Sequence, residues 1–434
     1  MTTRLQRVME RAKTDPDLRF TSLAHLIDED ELRRAFDRIR SHAAPGVDGL
    51  TKERYGQGLE DRLRDLHGRL RTMKYRHQPI RRVHIPKGDG RAGTRPIGVS
   101  CIEDKVVQGA LTQVLQAVYE PSFHECSFGF RPGRSAHDAL RALSRMAMFE
   151  GVAWVLEADI QGFFDSIDRK LLMEMLRNRV VDRSLLRLVG KCLRVGVLDG
   201  EESSDPSDGT GTAQGSIISP LLGNIYLHYV LDDWFEREVR PRLHGHARLI
   251  RYADDFVIGF ANKEDAERAF KALRARMAKH CLQLHPDKTR LIPFRRPPRS
   301  TKKNEGSFDF LGFTTYWRRG RNGNWRIAME TRMASFRKGL RSLAEWCRRQ
   351  RHLSIREQHA RLCRSLNGHY NYFAINGNGH RLQTFLMQVE RVWLKWLRRR
   401  SHRARRLTWE KFSRYLKRHP LPAPRIRVQI WTPP

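Results

Sequence analysis

Acidic residues are scarce in this chain. Its 434 residues hold 48 Asp and Glu against 82 Lys and Arg, a formal net charge of +34. Such an excess strains a compact fold by self-repulsion unless a polyanion neutralises it. Nucleic acid fits that requirement, because each neutralised phosphate releases a counterion. An anionic membrane surface fits it less well. Long apolar runs are also missing: none approaches the roughly 18 residues that a membrane span needs. The first twenty residues, MTTRLQRVMERAKTDPDLRF, include Glu10, Asp15 and Asp17 and no apolar stretch, so a secretory signal is not expected. The six cysteines (Cys101, Cys126, Cys192, Cys281, Cys347 and Cys363) form no C-x-x-C pair, which excludes the usual zinc-ligand spacing. They read as reduced, small core residues of a cytoplasmic protein.

What is present is enough apolar material, 40% of residues, for real cores. The first hundred residues are charged and helical in pattern up to SHAAPGVDGL, where Pro45, Gly46 and Gly49 mark a turn. RRVHIPKGDGRAGTRPIGV predicts two strands joined by a Gly-rich loop. Asp104 to Tyr119 has the spacing of an amphipathic helix. VAWVLEADI, residues 152–160, predicts a strand ending in an acid, and Leu171 to Val181 a helix. Residues 198–215 predict a loop and Ser219 to Glu238 one long helix opened by Pro220. Asn262 is the expected N-cap of the next helix. FDFLGFTTYW predicts one more strand. From about residue 328 the pattern is helical throughout, with Trp346 and Trp393 on apolar stripes as core residues. WLRRRSHRARRLTW, residues 396–409, interleaves Arg with Trp, a texture that suits phosphates and unpaired bases.

The chemistry concentrates in RYADDFVIGF, residues 251–260. Asp254 and Asp255 lie between two apolar segments, and at the tip of a tight hairpin both side chains would project to one side. Adjacent carboxylates repel, a conflict that a divalent cation removes; oxygen donors alone favour Mg²⁺ or Mn²⁺. Asp159 ends a second strand that would pair beside this hairpin. Three carboxylates facing one space would hold two ions about 3.5–4 Å apart, the arrangement for in-line phosphoryl transfer. An Asp pair in a turn is also an ordinary solvated feature; the acid-ending strand and the basic chain favour the metal site.

These residues resemble the bacterial group II intron reverse transcriptases, or maturases. The blocks that carry the resemblance are APGVDG, IPKGDGRAGTRPIGV, SFGFRPGRSAHDAL, ADIQGFFDSID, GTAQGSIISPLLGNIYLH, YADD, LHPDKTRLI, FDFLGF and LNGHYNYFAINGNG, in family order from about residue 30 to 430. The resemblance implies an α+β, right-hand polymerase fold: fingers and palm with an antiparallel sheet, then an all-α thumb. The implied divisions are 1–105 for the N-terminal extension and fingers, 106–320 for the palm and remaining fingers, 321–420 for the helical thumb and 421–434 for a tail. No endonuclease domain is expected, and so no second-strand nicking.

The same resemblance assigns roles. Asp159, Asp254 and Asp255 would bind two Mg²⁺ ions, with the Ile160 carbonyl as an additional ligand. Lys87 and Arg95 would grip the incoming triphosphate, and Gln214 would contact the nucleotide from a turn that Gly215 makes compact. Phe164 would be the steric gate against a 2′-hydroxyl, with Phe163 beside it in the core. Lys288 would protonate the pyrophosphate. Phe310, Leu311 and Gly312 would form the primer grip. Implied partners are the group II intron RNA, an RNA template–DNA primer duplex, dNTPs, and target DNA reached through the intron ribonucleoprotein in a bacterial cytoplasm. Two alternatives stay open here: a domesticated enzyme of this type in DNA repair or phage defence, and an RNA-binding splicing factor that does not polymerise.

Overall fold

The computed structural model describes residues 2–86, 94–199, 202–204, 211, 215–301, 306–320 and 322–431. Four helices open the chain: α1 (Thr3–Thr14), α2 (Glu29–Arg38), α3 (Lys52–Gly56) and α4 (Leu59–Arg71). The first three begin where Thr2, Asp28 and Thr51 accept a first-turn N–H, the usual device for an orphaned helix donor. Strands β1 (Ile80–Pro86) and β2 (Thr94–Val99) pair antiparallel. The loop between them, with Lys87, lies outside the described residues.

Helices α5 (Ile102–Tyr119) and α6 (Ala136–Phe149) precede β3 (Trp154–Asp159). After β3 come α7 (Phe163–Ser166), α8 (Arg169–Arg177) and α9 (Arg183–Leu193). The expected loop at 198–215 contains paired strands, β4 (Val197–Asp199) and β5 (Glu202–Ser204), which extend the first sheet in the order β2-β1-β4-β5. The expected long helix starts as α10 (Ser219–Leu227) and continues through two π-helical turns, His228–Asp232 and Phe235–Val239.

The second sheet is built from β3, β6 (Ala247–Tyr252), β7 (Asp255–Phe260) and β8 (Arg290–Pro293), in the antiparallel order β6-β7-β3-β8. Helix α11 (Lys263–Lys279) joins β7 to β8, and its N-cap is Asn262 as expected, although the side chain donates to Asp265 rather than capping. FDFLGFTTYW is two strands and not one: β9 (Ser307–Phe310) and β10 (Phe313–Arg319) form a hairpin, and β11 (Trp325–Thr331) completes a third sheet. The helical end begins only after that strand, with α12 (Met333–Arg349), α13 (Ile355–Phe373), α14 (Gly379–Leu397) and α15 (Trp409–Arg418).

Three apolar cores follow from this order. One lies around α5 and takes Leu156, Ala158, Phe256 and Ile258 from the second sheet. The alternate residues Val155 and Val257 enter another core with α6 and the third sheet. Both faces are therefore covered, which is why these strands read as continuous apolar runs rather than alternating ones. The last core is the bundle α12–α15 around fully buried Trp393, with Trp346 packed at its edge. The residues after α15 return to the β11 end of the bundle: Val428 bridges to Ile375, and the Trp431 indole donates to the Ile327 carbonyl at 3.0 Å.

Two further expectations need correction. Cys281 is exposed and Cys363 only half-buried, because they follow or face solvent at helix edges; the other four cysteines are buried. Helix α5 is buried on nearly all sides rather than amphipathic, and the buried set includes Asp104 and Gln108.

Asp104 accepts from the Tyr75 hydroxyl at 2.5 Å and the Gln78 amide at 3.3 Å, yet burial pushes its carboxyl up to about 7. The folded chain therefore holds a proton here between about pH 4 and 7 that the unfolded chain releases. Stability from this group is full below about pH 4 and lost as pH rises through 7, worth ~4 kcal/mol at about 1.4 kcal/mol per unit. Neighbouring His77, lowered by burial, works in the opposite direction. Asp104→Asn keeps an acceptor for Tyr75 and is expected to abolish this slope. Urea unfolding of both proteins at pH 4.5 and 7.5 measures it as a variant-minus-wild-type difference that grows with pH.

Candidate active site

The register of the second sheet builds the site. Asp159 ends β3 and lies directly across from Asp255, the first residue of β7. Strand parity turns both toward the face of Val155 and Val257, and so toward the β9–β10 hairpin. The hairpin tip is Ala253–Asp254, not Asp254–Asp255: Tyr252 pairs with Asp255, and Ala253 takes a positive φ of 58°. Asp254 is thus a turn residue and Asp255 a strand residue. Burial first, then the charges of Asp159 and Asp254, push the Asp255 carboxyl up to about 7, while the Leu311 amide hydrogen bond pulls it back.

Lys288 donates to Asp159 at 2.6 Å across 129 residues of sequence. Among the described residues no three His, Cys, Asp or Glu side chains are grouped so as to hold a metal ion. The ammonium on Asp159 and the amide on Asp255 draw these carboxylates to protein partners instead. The residues nonetheless fit a divalent cation. The donors are hard oxygens, and Asp159 and Asp254 add like charge to a carboxyl, Asp255, that burial already disfavours as an anion, a conflict a cation would relieve.

Ile160 is buried and bridges to Leu284; the two bonds there run from the Gln161 amide to Gln283 and from the His285 amide to the Asp159 carbonyl, so the Ile160 carbonyl is used by neither. Phe163 is a core residue, and Phe164, its ring centroid 5.2 Å away, packs against the same core while remaining partly accessible. Arg95 lies in β2 opposite Ile85. Gln214 lies outside the described residues, but Gly215 beside it does not. With φ of 106° it packs so close to β2 that a Cβ would sit 2.6 Å from the Gly98 carbonyl oxygen. Phe310 is buried, and Leu311 and Gly312, both with positive φ, form the two-residue tip of the β9–β10 hairpin. The Leu311 carbonyl accepts from the Tyr372 hydroxyl at 2.8 Å.

Sequence reasoning missed the group that holds the Asp254 turn. Arg251 is fully buried. Its guanidinium donates to both oxygens of buried Asp232, at 2.7 and 2.5 Å, to Asn224 and the Ala253 carbonyl at 3.0 Å each, and to Ser127 at 2.7 Å. Asn224 in turn donates to the Gly129 carbonyl at 2.7 Å. A Cβ on Gly129 would stand 2.4 Å from the Ala253 nitrogen, so only glycine lets that segment touch the turn. The signal was weak: Arg251 shares its strand with Arg248, and Asp232 is followed by Asp233, so neither charge stands out in the sequence.

The reverse transcriptase (RNA-dependent DNA polymerase) family matches residues 85–315. The chain is 33% identical over 350 residues to Protein YkfC of Escherichia coli, covering 73% of this chain and 88% of that protein. It is 33% identical over 225 residues to the group II intron-encoded protein LtrA of Lactococcus lactis, covering 52% of this chain but 37% of LtrA. Nuclear intron maturase 2 of Arabidopsis thaliana is 32% identical over 176 residues, 24% of its length. The chain belongs to the reverse transcriptase family, in its group II intron and maturase branch. Its enzyme class is RNA-directed DNA polymerase, a class that depends on divalent metal.

Removing one partner of the Arg251–Asp232 pair leaves a buried charge, at a cost of ~3–5 kcal/mol. Asp232→Asn and Arg251→Met are each expected to lose that much in urea unfolding. The double variant Arg251→Met/Asp232→Leu should regain most of the stability but not primer extension, since nothing then holds the Ala253 carbonyl.

Proposed function

We propose that this protein copies RNA into cDNA at Asp159, Asp254 and Asp255, and that it assists splicing and retrohoming of a parent group II intron. The observation that carries the reading is the side-by-side placement of Asp159 and Asp255 on adjacent strands, with Asp254 at the turn beside them. Mg²⁺ is the cation that hard oxygen donors and a triphosphate substrate favour. The three carboxylates, with the Ile160 carbonyl, would hold it. What it supplies when bound is charge compensation at the triphosphate and a more acidic primer 3′-hydroxyl.

The chain's own residues do the rest. Lys87 and Arg95 bind the triphosphate, a role for cations that suits a reaction governed by positioning and charge. Gln214 orients the nucleotide; the contact of Gly215 with Gly98 supports that by bringing its turn against β2. The Phe164 ring lies under the sugar and leaves no room for a 2′-hydroxyl. Lys288, which donates to Asp159, passes its proton to the departing pyrophosphate. Leu311, bonded to both Asp255 and Tyr372, ties the primer grip of Phe310, Leu311 and Gly312 to the carboxylates.

In this reading residues 1–105 and 106–320 act as fingers and palm and 321–420 as thumb. The exposed arginines 398, 399, 403, 405 and 406, with exposed Trp409, face the duplex or the folded intron RNA. An A-form duplex is held through shape and backbone, so this contact is not sequence-specific. Target DNA is reached through the intron ribonucleoprotein. Among the described residues no helix is long and apolar enough to cross a membrane. A bacterial cytoplasm is the compartment proposed, supported by six unpaired thiols.

The test is primer extension on an RNA template with Mg²⁺. Wild type is expected to extend, and Asp254→Asn to lose at least ~10³-fold, about 4 kcal/mol of transition-state stabilisation. Equal activity in the two proteins would end the polymerase reading. Protein-dependent splicing of the transcript that surrounds the gene tests the maturase role separately.

A further inference from the structure

Five non-glycine residues among those described have a positive φ. Four have a local reason. Met73 and Cys281 directly follow the C-caps of α4 and α11, where a left-handed residue closes a helix, and Ala253 and Leu311 occupy hairpin turns. Phe130, at φ 56°, lies in a turn at 129–130 that joins no hairpin and closes no helix. A bulky side chain in that region is strained, and the strain persists only where the surroundings over-determine it.

The surroundings here do so. Phe128 is buried and its amide donates to the Arg251 carbonyl; the Gly129 carbonyl is held by Asn224. On the other side Arg131 is buried and bonded to Glu120 and to the carbonyls of His124 and Ser127. Between these anchors the Phe130 side chain points outward. At 56% exposure it is the most exposed large apolar side chain described. Its ring centroid lies 6.5 Å from that of Tyr252, and Gly129 before it abuts the backbone of the Ala253 turn. Strand-leading Asp255 and turn residue Asp254 thus have a strained, exposed ring beside their hairpin.

We propose that Phe130 is an apolar platform for the terminal nucleotide of the primer strand. The inference rests on the polymerase reading. A growing 3′ end that reaches these carboxylates brings its last sugar and base past the Phe130 ring. Lysine and arginine contacts hold a backbone but permit it to slide from one phosphate to the next. An aromatic face against a base or sugar fixes the step, and does so for any sequence.

The experiment uses the full chain, an RNA template, and a primer ending in 5-iodo-deoxyuridine, with chelator present. Ultraviolet light is expected to cross-link the primer terminus to the peptide that contains Phe130. Phe130→Ala should abolish that cross-link and raise the Kd for primer–template about tenfold, read by fluorescence anisotropy. Phe130→Trp should stay within twofold of wild type. Phe130→Gly should bind as weakly as the alanine variant yet melt no lower than wild type, because glycine relieves the strained φ. The inference fails if Phe130→Ala binds within twofold of wild type, if the cross-link forms from the template strand instead, or if Phe130→Gly melts lower. Wild-type primer extension in the same preparation separates the two levels: extension with unaltered Phe130→Ala binding sinks this inference alone, whereas no extension sinks the polymerase reading and this inference with it.

Discussion

The turn that carries Asp254 depends on a fully buried cation, Arg251. Arg251 and Asp232 neutralise each other in a fully buried space. A pair of this kind is a poor source of net stability, because two charges must first be stripped of water. Its value is geometric. One planar guanidinium reaches the helix after α10, the segment at 127, and the carbonyl of the turn residue before Asp254. Three pieces of chain distant in sequence are thereby held at fixed separations. The π-helical turn at His228–Asp232 belongs to this device: it is where Asp232 leaves the regular helical spacing. The same constraint carries the strained turn of Phe130, since both segments converge on Arg251 and Asn224.

Charge balance at the carboxylates follows a different logic. Asp159 and Asp254 both add like charge to the Asp255 carboxyl, while Lys288 pairs with Asp159 and the Leu311 amide with Asp255. A well-compensated cluster would have little affinity for a cation. In the proposed reading a cation would complete the compensation, and Lys288, bonded to Asp159, would pass its proton to an anion of the substrate.

Much of this was legible in the sequence because it depends on local patterns. The hairpin at 247–260, the strand that ends in Asp159, and the helical end around Trp393 all follow from periodicity and turn residues. The ordered motif blocks named the family, and its model covers residues 85–315. What remained hidden depends on register and on contacts distant in sequence. FLGF was read as part of one strand, because nothing in its composition announces that Leu311 and Gly312 both turn left-handed. Asp254 and Asp255 were placed together at a tip, whereas a shift of one residue puts Asp255 in the strand. Arg251 is distant in sequence from Asn224 and Asp232, and the three become a single unit only once the chain is folded.

The junction between the third sheet and the helical end has a mechanical consequence. Tyr372 bonds the hairpin at Leu311, Asn378 bonds Thr331 on two atoms, Arg318 reaches the Gly377 carbonyl, and Trp431 closes over Ile327. A hinge there would have to break all of these together. The bundle and the hairpin therefore move as one stiff body.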